Sequence, residues 1–253
     1  MIIPEIQIQL VTWNSRPHLE RLFIGIKKQT GVNFNVVVID NASSDDTVKW
    51  LEANEPGIKI IKNKTNRGFA AAHNQGFAIC EAPYVLVLNP DTELQGGYLA
   101  EVLMVMESDD KIASVQGKLY RELPGEGKYG IIDSCGLKMR ALGQVVDIGQ
   151  NQPDKGDFGA QKQIFGATGA CALYRVSALK AVADKHGIFD ERFGSYKEDV
   201  DLAWRLKRAG WQAVFTPQAV AWHERGVGKG DKRSWRIRYL SLRNHLLMIW
   251  KNF

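Results

Sequence analysis

The hydrophobic pattern opens with short apolar runs separated by stretches of helical length. Ile6 to Thr12 and Phe34 to Asp40 are rich in β-branched residues, and Ile58 to Lys62 and Tyr84 to Leu88 repeat the theme. Nearly continuous valine and isoleucine marks strands buried on both faces, as in a parallel sheet with helices above and below it. Between the runs, Pro17 to Gln29, Ser44 to Ala53 and Gly68 to Ala82 carry helical periodicity. Ser43 or Ser44 is placed to cap the second helix, with Asp45 and Asp46 complementing its dipole. Strand and helix alternating at this spacing predict right-handed βαβ units, hence an α/β fold with a doubly wound sheet.

Beyond residue 116 the pattern changes. Gly117 to Gly159 is rich in glycine and polar residues, with strand fragments such as Gly143 to Ile148, and reads as an irregular β-insertion or mobile flap. Gly166 to Val176 reads as a strand of small residues and Ser177 to Lys185 as a helix. Glu198 to Ala209 is strongly amphipathic and closes at Gly210, a candidate helix-ending glycine. Trp211 to Thr216 and Ala219 to Trp222 are further strands, and Arg233 to Phe253 is a closing helix. No repeat, low-complexity tract or linker interrupts the chain, which predicts one α/β domain with a mixed C-terminal half.

Composition narrows the class. With 253 residues, 45% of them hydrophobic and 24% charged, the chain is typical of a globular protein and unlike disordered or fibrous ones. Purely apolar runs such as Val36 to Ile39 and Tyr84 to Leu88 fall far short of the ~20 residues a membrane helix needs. No basic-then-apolar leader opens the sequence. Cys80, Cys135 and Cys171 have no metal or redox spacing, which predicts small buried hydrophobes in a reducing, cytoplasmic setting. Charge is uneven: from Glu224 to Phe253 eight basic residues face two acidic ones, and the whole chain is only +5. A near-neutral body with a basic end points to a local anionic partner rather than a nucleic-acid coat, the alternative being a solvated helix face. No recognisable nucleic-acid module is present.

Ligands of open α/β sheets bind beyond the carboxyl ends of the strands. Those ends carry Thr12-Trp13-Asn14, Asp40-Asn41, Asn66-Arg67-Gly68 and Asn89-Pro90-Asp91. Each alone could be a polar cap; four in succession predict a crevice lined for a polar ligand. Asp40 could accept the imide N–H of a uracil or thymine, or cap a helix. Asn66 to Ala70 opens a helix whose free N–H groups and dipole favour phosphate, with Gly68 allowing close approach or serving a turn. Asp91 is suited to a divalent cation through hard oxygen, with His223 as a second ligand if the two meet in space. Glu198, Asp199 and Asp201 share a first helical turn, where carboxylates complement the dipole; Asp199, if it faces the crevice, could take a proton from a hydroxyl. These residues by themselves support a metal-assisted nucleotide enzyme.

Their order adds more. Val11-Thr12-Trp13-Asn14, Val38-Ile39-Asp40-Asn41-Ala42-Ser43-Ser44-Asp45, Asn66-Arg67-Gly68-Phe69-Ala70 and Leu88-Asn89-Pro90-Asp91 closely resemble family 2 glycosyltransferases of the GT-A fold. The resemblance continues through Gly169-Ala170-Cys171, Phe189 to Phe193, Glu198 to Leu202 and Trp222-His223, and the subgroup is similar to rhamnosyltransferase-like enzymes of bacterial surface-polysaccharide synthesis. It implies a single Rossmann-like mixed sheet flanked by helices, with a nucleotide-binding half to about residue 116, an acceptor-binding half over 117–232 and a basic helix over 233–253. It implies that Asp40 reads a pyrimidine, Thr12 and Asn14 line the base and ribose pocket, and Asn41, Arg67, Gly68 and Asn89 lie by the nucleotide. Asp91 matches the metal-binding aspartate of the DxD element, His223 a later metal contact, and Asp199, ahead of Glu198, the acceptor-activating base. Asn89 stands where a full DxD has its first aspartate.

The implied reaction is inverting transfer from a dTDP- or UDP-sugar, L-rhamnose preferred, assisted by Mg²⁺ or Mn²⁺. The implied acceptor is a hydroxyl of a glycan or of a polyprenyl-diphosphate-linked saccharide. Trp235, Tyr239, Leu242, Leu246, Ile249 and Trp250 form one stripe on the closing helix, which would pack on the sheet or dock on anionic membrane lipid. The competing readings are a decayed nucleotide-sugar-binding protein and a nucleotidyltransferase, the latter lacking a glycine- and basic-rich phosphate loop near the N-terminus.

Overall fold

In a computed structural model, residues 3–122, 130–225 and 235–252 are described. Strands β1 (Ile6–Thr12), β2 (Phe34–Asp40), β3 (Lys59–Lys62) and β4 (Tyr84–Leu88) stand where the pattern predicts them. They are joined through α1 (Leu19–Lys27), α2 (Thr47–Asn54) and α3 (Phe69–Ala78). All four strands run parallel, β1 lying between β2 and β4. The register pairs Thr12 with Asp40, so the polar ends of β1 and β2 come level. Ile6, Ile8, Leu10, Val38, Leu86 and Leu88 are fully buried in the main core. The predicted caps differ: the Ser43 and Ser44 hydroxyls turn to Asp40 and Asn14, and the Thr47 N–H at the start of α2 is taken by Asp45 at 3.0 Å.

The next segment holds elements the pattern did not reveal. After β5 (Thr92–Leu94) comes α4 (Tyr98–Glu107), in which Tyr98, Leu99, Val102, Leu103, Val105 and Met106 are buried. Burial on so much of its surface leaves little polar face to mark a helix. Then β6 (Ile112–Glu122) runs through the sheet, although the sequence reads as irregular from Gly117. Gly117 is there for space: a Cβ would collide with the Ala219 carbonyl and the Tyr98 ring, and its N–H donates to Tyr98 Oη at 3.2 Å. A glycine inside a strand signals close approach as often as a loop.

The remaining strands complete a mixed sheet. β7 (Ile131–Ser134) pairs with β6, and β8 (Leu137–Met139) pairs with β9 (Val145–Asp147). β10 (Lys162–Ile164), β11 (Cys171–Arg175) and β12 (Gln212–His223) give the order β10-β12-β6-β11-β4-β1-β2-β3. The segment read as an irregular β-insertion or mobile flap is the former, with β7 to β9 in it, and it is packed: Ile132, Cys135, Phe158, Ile164 and Phe215 form one buried cluster. Its residues 123–129 lie outside the described ones. The two predicted strands around Pro217 are one, β12, with a register shift between Thr216 and Val220. The small-residue strand starts only at Cys171, leaving residues 166–170 as a connection at the crevice. All three cysteines are buried and free.

α5 (Val176–Val182) and α6 (Glu198–Arg208) follow β11, and Gly210, at φ +85°, closes the latter as expected. The last helix, α7 (Trp235–Asn252), does not take the first of the two orientations open to it, with its stripe laid on the sheet. Its apolar stripe faces outward, with Trp235, Tyr239, Leu242, Leu246 and Trp250 between 57% and 79% exposed. Polar anchors set that rotation. Asn244 and Asn252 are buried, and Lys251 Nζ donates to Asp190 at 2.8 Å and Asp201 at 3.0 Å. Met248 packs beside them against Val200 and Trp204. Arg243 donates to the carbonyls of Arg192 and Phe193, and Arg225 to Asp133 and Asp147. Three of the eight basic residues of the tail therefore serve the body of the protein rather than an outside anion. Lys229, Lys232, Arg233, Phe253 and the side chains of Arg236 and Arg238 lie outside the described ones.

Candidate active site

The predicted site residues gather at the carboxyl edge of β1, β2 and β4, where the end of β12 meets them. On the β1–β2 side, Asp40 is 2% exposed, and three donors reach its carboxylate. Oδ1 accepts from Thr12 Oγ1 at 2.9 Å and Ser43 Oγ at 2.5 Å, and Oδ2 from the Ser43 N–H at 2.9 Å. Thr12, expected to line a pocket, is instead fully buried beneath it and orients Asp40. Asn14 is exposed and accepts from the Ser44 N–H at 2.8 Å, tying the two loops together.

The opening of α3 also differs from expectation. The N–H groups predicted to be free for phosphate are taken: Phe69 by Ser195 Oγ at 3.3 Å and Ala70 by the Gly194 carbonyl at 2.9 Å. Gly68 sits at φ +82°, and a Cβ there would meet Gly194 O at 2.9 Å, so the glycine serves this loop contact. Asn41 holds the same turn, donating to Gly68 O at 3.0 Å and accepting from Asn63 Nδ2 at 2.9 Å. Arg67 is exposed at the crevice rim.

Asp91 and His223 do meet. Antiparallel pairing of β5 with β12 sets His223 opposite Thr92, and Nε2 lies 3.3 Å from Asp91 Oδ1. Asn89 Nδ2 is 3.4 Å from the same nitrogen. The far side of the ring, Nδ1, donates to Asp133 Oδ2 at 2.8 Å. Burial works against charge on His223, but hydrogen bonds to Asp133 and Asp91 outweigh it and lift its pKa to about 9. Asp91 is half-buried, which works against its charge, yet its pairing with His223 holds it below the usual carboxylate range. An imidazolium held between two carboxylates marks a place where a divalent cation would also fit, with one hard oxygen and one imidazole nitrogen to bind it. Among the described residues no group of three His, Cys, Asp or Glu side chains forms a metal cage, so other ligands would complete the shell. A cavity of about 270 Å³ opens beside Asp91, with His18, Arg21, Arg121 and Trp222 in its walls.

Asp199 closes the crevice from the other side. Its Oδ2 accepts from the Gly169 N–H at 3.0 Å and Oδ1 from the Val200 N–H at 2.8 Å. The next residue, Ala170, accepts the Asn89 N–H at 2.8 Å, so one backbone contact separates the Asp199 and Asp91 corners. Glu198 is turned inward, and burial, then the Asp199 charge, raises its pKa well above the ordinary value. Its Oε2 has no hydrogen-bond partner among the described residues. Four non-glycine residues beside this edge adopt positive φ: Asn14 at 51°, Ala42 at 63°, Tyr196 at 74° and Lys197 at 75°. Each costs roughly 1–2 kcal/mol, and such strain collects at functional sites.

Residues 8–183 match the sequence family described as glycosyl transferase family 2. The chain belongs to that family. Among curated relatives, the N-acetylglucosaminyl-diphospho-decaprenol L-rhamnosyltransferase of Mycobacterium tuberculosis is 28% identical, over 87% of this chain and 76% of its own length. The pre-mycofactocin glycosyltransferase of the same organism is also 28% identical over 87% of this chain, which spans 43% of that protein. Among solved structures, the mannosyltransferase PcManGT of Pyrobaculum calidifontis, with GDP-Man and Mn²⁺, matches with a TM-score of 0.67 at 20% identity, over the whole of this chain and 66% of its own. GalNAc-T7, with UDP, GalNAc and Mn²⁺, gives 0.70 at 12% identity over 98% of this chain and 48% of its own. At these identities the structural likeness establishes the fold: a mixed GT-A sheet flanked by helices, as the sequence predicted.

Sequence reading of this family 2 chain missed Asp133, Asp147 and Gln116. Gln116 is fully buried; its Oε1 accepts the Thr168 N–H at 2.7 Å and its Nε2 donates to Ser134 Oγ at 3.1 Å, fixing the loop that carries Gly169. These three lie on β7, β9 and β6 respectively, within or beside the segment that looked irregular, and no spacing there marks them. Arg225, counted with the basic tail, belongs to this corner as well.

Proposed function

We propose that this family 2 chain is an inverting glycosyltransferase that moves a sugar to a hydroxyl of a glycan or a polyprenyl-diphosphate-linked saccharide. The preferred donor is dTDP-L-rhamnose, with a UDP-hexose as the second choice. The observation that carries the reading is the meeting of Asp91 with His223 on the sheet edge that also presents Asp199. The mycobacterial rhamnosyltransferase, similar along most of its length, supports the sugar and the lipid-linked acceptor. In this reading residues 1 to about 116 bind the nucleotide and 117–232 the acceptor.

A carboxylate offers about four acceptor positions, and Asp40 uses three internally, so one on Oδ2 remains for a pyrimidine imide N–H. Asn14 borders the base and ribose, with Thr12 holding Asp40 in place. Asn41, Arg67, Gly68 and Asn89 shape the walls beside the nucleotide. Asp91 and His223 would hold Mg²⁺ or Mn²⁺, whose charge, when bound, would offset that developing on the departing diphosphate. Asp199 takes the acceptor's proton from the face opposite the leaving group, which gives inversion.

Thermal unfolding with dTDP, UDP, GDP and CMP, each with and without Mn²⁺, tests the donor site. A ligand at 100 times its Kd adds about 2.7 kcal/mol, which is a rise of roughly 5–10 °C for a domain of this size. The expected result is a metal-dependent rise with dTDP or UDP alone. No shift with any nucleotide would overturn the donor site and count equally against a decayed nucleotide-sugar-binding protein.

In this reading the protein works in the cytoplasm, in peripheral contact with anionic lipid through α7. The outward stripe supports this, because exposed apolar patches mark interaction surfaces. Among the described residues no helix is long and apolar enough to cross a membrane. Sedimentation with vesicles should carry down more protein when they contain anionic lipid; equal recovery with neutral vesicles would count against the contact.

A further inference from the structure

Asp133 is fully buried at the end of β7, and each of its oxygens receives a different donor. Oδ2 accepts His223 Nδ1–H at 2.8 Å, and Oδ1 accepts Arg225 Nε–H at 2.6 Å. Arg225 in turn reaches Asp147 Oδ2 on β9 at 3.1 Å. Arg121 Nη2 comes within 3.6 Å of Asp133 Oδ1 from β6. An ordered chain thus runs Asp91–His223–Asp133–Arg225–Asp147, and its last three members have no part in the roles proposed above.

The chemistry of the two donors explains why a carboxylate stands at 133. A His ring nitrogen that is to meet a cation must be bare, and a hydrogen bond from the other ring nitrogen selects that tautomer and fixes the ring plane. Asp133 provides that acceptor for Nδ1, leaving Nε2 directed at Asp91. Arg225 holds the carboxylate by its other oxygen, so rotation about the Asp133 side chain would break two charge-assisted bonds at once. Asparagine could not serve both partners, since turning its oxygen to either one leaves its NH₂ facing the other donor.

We propose that Asp133 is the positioning residue for His223 at the cation site, clamped in turn by Arg225 against Asp147. The segment from β7 to β9 then carries the outer layer of the cation corner. The inference rests on the reading of Asp91 and His223 as cation ligands, and the test separates the two.

Mn²⁺ affinity is measured by electron paramagnetic resonance at saturating UDP or dTDP, alongside nucleotide affinity without metal. Wild type should bind Mn²⁺, and Asp91→Ala should lose it. Undiminished binding in Asp91→Ala, or none in wild type, would overturn the cation reading and this inference with it. Given a wild-type site, Asp133→Asn should weaken Mn²⁺ binding about 10- to 100-fold, the usual effect of losing an outer-layer partner, with metal-free nucleotide affinity unchanged. Arg225→Met, which leaves Asp133 in place without its clamp, should weaken it in the same direction by less. Should Asp133→Asn fail to fold, Arg225→Met decides. Mn²⁺ affinity within twofold of wild type in the deciding variant, with Asp91→Ala still impaired, would sink this inference alone.

Discussion

Asp199→Asn is expected to lower sugar transfer by about 10²- to 10⁴-fold, the range associated with loss of a general base, while leaving nucleotide affinity unaltered. The carboxylate is half-buried and accepts two backbone N–H groups, from Val200 and Gly169. An asparagine keeps its shape and can satisfy one of them, so α6 should form as before, yet its amide cannot accept a proton at neutral pH. Among the described residues, the hydrogen bonds of the Asp199 side chain go to Thr168, Gly169 and Val200 and to none of the residues proposed to hold the nucleotide. Initial rates with donor and acceptor, set beside calorimetric nucleotide affinities, separate the two effects. Near-normal turnover with intact binding would remove Asp199 as base. Glu198 is the alternative, but burial and the adjacent Asp199 charge raise its pKa and so favour its protonated form, which is a poor base. Glu198→Gln, which imitates that protonated form, should therefore cost transfer less than Asp199→Asn does.

The parts of this site that could be read from sequence are those where one residue has one local job. The first four strands are written in runs of valine and isoleucine, and their polar ends name the crevice. Asp40, Asp91 and Asp199 stand at strand ends or a helix start, where a carboxylate shows against its neighbours. What escaped was set by contacts between distant segments. Gly117 looked like a loop residue because nothing in the chain announces that Ala219 and Tyr98 press against it. The α3 N-terminus looked open because its blocking groups, Gly194 and Ser195, come from a loop far along the sequence. Asp133 could not be told from a surface aspartate until β7 paired with β6 and brought it under His223. The stripe on α7 was visible, but its direction was not: that depended on where Lys251 and Asn252 found partners.

Those partners give the second large effect. Asp201→Ala is expected to destabilise the protein by about 3 kcal/mol, near the lower end of the 3–5 kcal/mol associated with breaking a buried ion pair. Asp201 is fully buried in α6, and three side chains converge on it: Arg205 Nε at 2.8 Å, Lys251 Nζ at 3.0 Å and Asn252 Nδ2 at 2.9 Å. Removing it would not strand them equally. Lys251 keeps Asp190 and Asp184, and Arg205 keeps the carbonyls of Val182 and Ile188, which is why the lower figure is preferred. Asn252 would lose its only side-chain acceptor in this group and retain the Met248 carbonyl. For a domain of this size, about 3 kcal/mol corresponds to a fall in Tm of roughly 6–12 °C. Leu242→Ala on the outward stripe of the same helix is the natural contrast, expected within about 0.5 kcal/mol of wild type because it empties no packed space. Equal losses from the two variants in urea unfolding would mean that α7 is not held through its acidic socket. The socket bears on chemistry as well as stability. Buried Asn244, on the same helix, donates to the carbonyls of Phe193, Ser195 and Tyr196, bracing the strained loop that leads into Glu198 and Asp199. Loosening α7 from Asp201 should therefore slow transfer under conditions where the protein is still folded, because the base loses the brace that aims it.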